Sequence, residues 1–331
     1  MSTPSPVVGL SDILEGHFPL TNSRPLLDEI SQVRQRRMLA VVLSPKLSLD
    51  RGVIDALVDV LEPLDQGSAL DLFVDGLGAA SPEGWRLISM LRERYDSLTA
   101  LVPFAASPGA TQIALGTNDL LMCDAASLSP IEPWDAEGLD IGAQSELRHF
   151  ERLVRNLVST EIHAQLFGGA VAKLDARVLG AGERAWYMLK LLTCRGLLTH
   201  MDPLVDAQRI ENIVQSLCGG DLSTGFPFTR RDCENVLRLD ILKPDRALNG
   251  AVWRLHRHYR QLFDIEGDWV WNERHYALTY DGFLDTLDER RLLIRIHRLD
   301  ERGRRVPEAP VLTRWVRPGG QDVVMDKELA L

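Results

Sequence analysis

Lysine is nearly missing from this chain. Of its 37 basic residues only five are lysines (Lys46, Lys173, Lys190, Lys243 and Lys327), and the rest are arginines. Chemistry that needs an amine able to give up its proton therefore has few candidates, because arginine keeps its charge at every accessible pH. Cysteine is scarce too. Cys123, Cys194, Cys218 and Cys233 lie far apart with no CxxC pair, which excludes a zinc ribbon and a disulfide scaffold and makes reduced thiols in a cytoplasmic protein the expectation. Positive charge is in deficit, with 47 acidic against 37 basic residues and a formal net charge of -10. That balance argues against a protein that holds nucleic acid in a broad positive field. Long apolar runs are wanting as well. Residues 97 to 118 carry no charge and are long enough to span a bilayer, but Pro103, Pro108, Gly109, Gly116 and several hydroxyls make them a buried strand, turn and helix, so no membrane span is expected. The opening residues lack the basic and apolar regions of a secretory leader, and none is expected.

What is present has the makings of a core. The chain has 331 residues, of which 45% are apolar, enough for one large domain or two ordinary ones. Residues 1 to 24 are rich in proline and serine and read as a loose lead-in. Beyond them, helical and strand patterns alternate: helix over 26 to 37, strand 38 to 44, helix 50 to 62 capped by Asp50, strand 70 to 74, helix from Ser81-Pro82, strand 98 to 102, a short helix 111 to 115 and strand 120 to 123. Such alternation predicts an α/β fold built on a parallel sheet with helices around it. After Pro133 long helical patterns take over, at 144 to 167, 182 to 199, 206 to 217, from Thr229 (a capping box with Asp232) and 248 to 263. Strand patterns return at 269 to 271, 275 to 280, 292 to 297 and 311 to 316. The expected division is a core domain over 25 to 264 and a small β-rich appendage over 265 to 331.

Residues 69 to 133 carry a resemblance. Val102-Pro103 closing a strand, Ile113-Ala114-Leu115 in the helix that follows, Asp119-Leu120-Leu121-Met122 and Pro130-Ile131-Glu132-Pro133 occur in the order found in the serine dehydrogenase proteinase family, and Leu222 to Thr229 is similar to a later segment of it. That family belongs to the Clp protease/crotonase-like superfamily and is related to signal peptide peptidase A. The resemblance covers about residues 38 to 260 and implies a Clp protease/crotonase-like parallel sheet and a homo-oligomer acting on a peptide or protein. It also implies a nucleophilic serine at a helix start, a lysine base whose charge is suppressed by burial, and backbone N–H groups that hold an oxyanion. On that pattern Ser107 is the candidate nucleophile and Lys173 the candidate base, with Gly76, Gly78 and Gly109 the candidate oxyanion and substrate-binding positions.

The chain departs from the pattern at three places. Pro108 stands where the serine is expected, with Ser107 one residue before it, and a proline has no N–H to offer an oxyanion. Asp75-Gly76-Leu77-Gly78 replaces a Pro-Gly-Gly turn, so a leucine occupies a glycine position and a carboxylate stands beside it. Arg184 falls at the lysine position, which leaves Lys173 upstream and the poorly phased Lys190 as substitutes. The expectation is therefore a serine dehydrogenase proteinase-like protein with a degenerate Ser-Lys site, acting as a non-catalytic oligomeric binding or scaffold protein. The alternative is an active serine-type peptide hydrolase using Ser107 with a displaced Lys173 base. Acyl-CoA chemistry shares the fold, but no adenine-binding surface is legible.

Other groupings are weaker. Ser107 can also be read as a helix cap with Pro108 at the first helical position, and Thr111 as a buried helix hydroxyl bonded to its own backbone. A triad of Ser107, His149 and Asp119 or Asp124 can be written down without support from spacing, and His149 and His163 read as helix-packing residues. His256 and His258 point in different directions on a predicted helix, which disfavours a shared metal. Trp253, Arg254, Arg257 and Arg260 form a basic aromatic face, read as a subunit or domain contact. Gly76, Gly78 and Gly219-Gly220 lack the spacing of a nucleotide cradle, so neither cofactor nor metal is expected.

Overall fold

The computed structural model describes residues 16–17, 20–44, 47–64, 66–132, 150, 160–172, 176–271, 274–300, 303–306 and 310–318. The first half alternates as its apolar pattern requires: α1 (Arg24–Arg34), β1 (Arg37–Leu43), α2 (Arg51–Leu61), β2 (Gly67–Asp75), α3 (Pro82–Arg92), β3 (Tyr95–Val102), β4 (Ala105–Ala106), α4 (Pro108–Ala114), β5 (Asp119–Met122) and β6 (Ser127–Leu128). The second half supplies α5 (Thr160–Val171), α6 (Ala176–Leu197), α7 (Ala207–Cys218), β7 (Phe228–Thr229), α8 (Arg230–Asn235), β8 (Ile241–Leu242) and α9 (Arg246–Leu262). Four longer strands follow, β9 (Glu266–Trp271), β10 (Arg274–Asp285), β11 (Arg290–Leu299) and β12 (Leu312–Val316).

The protein is α/β with one large mixed sheet in the order β12-β11-β10-β1-β2-β3-β5-β8, β9 pairing with the outer part of β10. Strands β1, β2, β3, β5 and β8 are parallel, as the alternation predicts. The expectation of a parallel sheet needs enlarging, because β10 pairs antiparallel with β1, Ala40 facing Asp285 and Leu43 facing Gly282. The strands expected as an appendage thus continue the central sheet. Gly282 permits the close approach, since a Cβ there would meet the Leu43 side chain at 2.7 Å. A second, three-stranded sheet, β4-β6-β7, consists of two-residue strands that no run of apolar residues announces.

Burial explains why the central strands read as largely apolar runs without alternation. Met38 to Leu43 and Leu70 to Asp75 are buried without alternation, as strands covered on both faces must be. Two buried acids within this sheet are matched. Asp71 receives Arg34 at 2.7 Å and Arg36 at 3.0 Å, fastening α1 to β2. Asp285 accepts from Tyr259 at 2.8 Å and Arg290 at 3.2 Å, fastening α9 and β11 to the end of β10. Sequence-legible caps also form: Asp50 accepts from the Val53 N–H at 2.9 Å, and Asp232 from the Thr229 N–H at 2.9 Å. The helix expected at 111 to 115 begins earlier, at Pro108. The pattern read at 144 to 167 lies mostly outside the described residues, which include helix from Thr160 onward.

Candidate functional site

In parallel α/β sheets, side chains gathered beyond the carboxyl ends of the strands are where ligands and chemistry are usually found. Here that edge is built by Asp75 at the end of β2, the turn after it, and the start of α4. Gly76, Leu77 and Gly78 all have left-handed backbone, with φ of 77°, 72° and 49°. For Leu77 this conformation costs about 1–2 kcal/mol, and its fully buried side chain holds it there. The glycines have no alternative, because a Cβ on Gly76 would lie 1.9 Å from the Leu43 carbonyl oxygen and one on Gly78 2.6 Å from that of Leu47.

This turn is bonded to α4. The Gly109 N–H donates to the Gly78 carbonyl at 2.8 Å, and a Cβ on Gly109 would stand 2.2 Å from the Leu77 carbonyl oxygen. Ser107 is the N-cap residue of α4, its Oγ accepting from the Ala110 N–H at 3.4 Å while its hydroxyl donates to the Gly76 carbonyl. Gly76, Gly78, Ser107 and Gly109 are therefore brought together, and they bond to one another. Pro108 offers no donor and the Gly109 donor is occupied, so neither register of the nucleophile leaves the N–H after it available to an oxyanion.

The base positions are separate from this cluster. Lys173 lies outside the described residues. Arg184 is exposed, its guanidinium 3.5 Å from where a Cβ of Gly180 would be, one turn back on its own helix. Lys190 acts electrostatically on Cys218 of α7. Among the described residues, no lysine amine is a partner of Ser107. His149 lies outside the described residues, as does the side chain of His163. Thr111 is buried, and its Oγ1 accepts from the Ser129 N–H at 3.1 Å, where the sequence reading bonded it to its own helix. Three of the four cysteine thiols are held protonated. Burial pushes Cys123 and Cys233 up to about 12 and Cys218 up to about 11, so none of these three is a thiolate nucleophile near neutral pH.

Asp75 is where sequence reasoning missed an arrangement. The carboxylate that stands beside the turn in sequence is buried and matched from α9: His256 Nδ1–H donates to Oδ2 at 2.6 Å, and Arg260 to Oδ1 at 3.0 Å. With a carboxylate on Nδ1, that nitrogen carries the hydrogen. Phe104 and Trp253 pack on the imidazole, with ring centroids 5.8 Å and 5.0 Å from it. His258 faces away, toward the Thr21 backbone, Asp285 and Arg290, and burial lowers its pKa. The two histidines diverge as their spacing predicts. Of the basic face, Arg254 pairs with Glu29 of α1 and Arg260 with Asp75, so two of its arginines make contacts within the chain. No sequence signal links residues 181 positions apart. In sequence Asp75 is the second of two acids in its strand, after Asp71.

Fold and site together define an α/β protein with a large mixed sheet and a tightly packed glycine turn at the carboxyl edge of its central strands. No family model matches the chain, and comparison with curated proteins and with solved structures finds no significant match. Among the described residues, no helix is long and apolar enough to cross a membrane.

Proposed function

We propose that this chain is a non-catalytic member of the Clp protease/crotonase-like group, close in pattern to the serine dehydrogenase proteinases, in which the carbonyl-binding turn has become a packing joint and the protein works by binding. The observation that carries this reading is the Gly109 N–H donated to the Gly78 carbonyl at 2.8 Å. An acyl-transfer site keeps such a donor aimed at an empty position where the oxyanion will form. The hydroxyl of Ser107 is spent in the same way, donated to the Gly76 carbonyl and accepting at the helix start. The order of the motifs along the chain and the parallel run β1-β2-β3-β5 support the family assignment. Exposed apolar side chains on α5 and α6, Ile162, Leu166, Tyr187, Met188 and Leu191, support self-association as part of the same reading.

The test is covalent labelling of the full chain with a fluorophosphonate, which reacts with activated serines. The expected result is no adduct at Ser107 and no hydrolysis of peptide esters that Ser107→Ala removes. Stoichiometric labelling at Ser107 would overturn the reading and restore the peptidase.

A further inference from the structure

Residues 1 to 24 read as a loose lead-in, yet those just before α1 are fastened to the sheet and to α9. Thr21 and Ser23 are fully buried. The Ser23 hydroxyl donates to the Asp285 carboxylate of β10, and the Thr21 carbonyl accepts from the Arg290 guanidinium of β11. His258 of α9 bonds the Thr21 backbone as well. Ser23 stands at the N-cap of α1 but makes no side-chain cap there, because its hydroxyl is committed to Asp285. The apolar side chain of this segment, Leu20, is 57% exposed. Hydrogen bonds rather than apolar burial therefore hold residues 20 to 23 in place, and such a segment can open without breaking the core.

His258 makes this seat sensitive to acid. Its Nε2 is closed off from solvent and has no partner. A protonated imidazole carries a hydrogen on both nitrogens, so acid places a charged N–H where nothing accepts it. The groups around the ring do not relieve this. Asp285 favours the charge and Arg290 opposes it, and the Asp285 carboxylate is already matched by Arg290, Tyr259 and Ser23. Arg254, one turn earlier on α9, is held by Glu29 of α1. Burial outweighs both neighbouring charges and lowers the His258 pKa. Further back, His17 bonds the Tyr280 hydroxyl at 3.1 Å, and a hydroxyl can accept as well as donate, so that contact survives protonation of His17. We propose that residues 20 to 23 are an acid-released strap: protonation of His258 detaches them from α9 and β10 and uncovers the polar seat around Tyr259 and Asp285, while the core stays folded. The docked strap refuses a proton that the open one takes up. Docking is therefore complete above the ordinary histidine pKa near 6.5 and weakens as pH falls below it. The Ser107 turn plays no part in this.

Thiol labelling of the full chain tests this. Thr21→Cys places a thiol under the strap and Leu20→Cys places one on its exposed side, where it corrects for the effect of pH on the reagent. Both are labelled with 4,4′-dithiodipyridine at pH 7.5 and 5.5 and read by peptide mass spectrometry. The rate for Thr21→Cys relative to Leu20→Cys should rise about three- to tenfold on acidification, the upper figure being what one histidine of ordinary pKa supplies a unit below it. Cys218, fully buried in α7, should stay unlabelled throughout, which separates release of the strap from unfolding of the molecule. In the Thr21→Cys chain that also carries His258→Gln, the relative rate should be the same at both pH values. A relative rate that does not change with pH, an equal rise with His258→Gln, or labelling of Cys218 in step with position 21 would each overturn the proposal. If His258→Gln melts early at pH 7.5, His258→Asn takes its place. If both do, the midpoint of release must coincide with titration of the His258 ring followed by nuclear magnetic resonance, and a mismatch overturns the proposal.

Discussion

Gly109→Ala tests the joint between the glycine turn and α4 directly. The added methyl would be placed 2.2 Å from the Leu77 carbonyl oxygen and 3.0 Å from that of Ala79. Both are backbone atoms, and Leu77 is held by its buried side chain, so neither can swing aside as a flexible side chain could. To restore ordinary contact, turn and helix must part by about 1 Å, which stretches the 2.8 Å bond from the Gly109 N–H to the Gly78 carbonyl past useful length. Losing that bond costs about 1 kcal/mol. Forcing a methyl into packed backbone costs roughly 2 kcal/mol, and better helix propensity returns up to about 1 kcal/mol. The net expectation is a loss of about 2 kcal/mol. Urea unfolding followed by far-ultraviolet circular dichroism reads it as a lower midpoint at unchanged slope. Gly168→Ala is the matched control, because a Cβ there meets nothing within 4 Å and the substitution falls within α5, where it should be neutral or stabilising. A Gly109→Ala protein as stable as its parent would refute the reasoning, since it would mean that the turn stands off the helix with space for a substrate oxygen.

Asp75→Asn should cost about 3 kcal/mol in the same urea experiment, because it strips the charge from a buried group that receives both His256 and Arg260. A midpoint within error of the parent would mean the cluster contributes nothing to the fold. Acid should weaken the protein through histidines that are buried neutral. Burial lowers the pKa of His200, which bonds the Leu115 carbonyl at 3.0 Å, and burial lowers that of His258 too. The unfolded chain therefore binds protons that the folded one refuses: this stability is complete above the ordinary histidine pKa near 6.5 and declines as pH falls below it toward the lowered folded values. Urea midpoints between pH 7.5 and 5 should fall, and less steeply in His200→Gln; an identical slope in that variant contradicts the assignment.

The elements of the core were readable because each is a local matter. A short uninterrupted apolar run such as Leu39 to Leu43 fits a strand covered on both sides, and an acid three residues before a helix-start N–H, as at Asp50, fits a cap. The two-residue strands β4, β6, β7 and β8 have no such signature, because pairing with partners distant in sequence makes them strands. The same holds for the site. The glycines of the turn and Ser107 stood out only through the family resemblance, and the structure brings them together. That their donors and acceptors satisfy each other depends on how closely α4 approaches the turn, which residue types alone do not specify. Asp75 was visible only as an isolated charge until α9 supplied His256 and Arg260.

The antiparallel pairing of β1 with β10 has a consequence for synthesis. One edge of β1, apolar on both faces, is completed only by a strand that begins at Arg274. At ribosomal rates of about 5–20 residues per second, the roughly 240 residues separating the partners take about 12–50 s to emerge. Through that interval the nascent chain displays an unpaired strand of the kind that recruits other strands, so chaperone capture or translational pausing before β10 should govern yield more than the stability of the finished fold does.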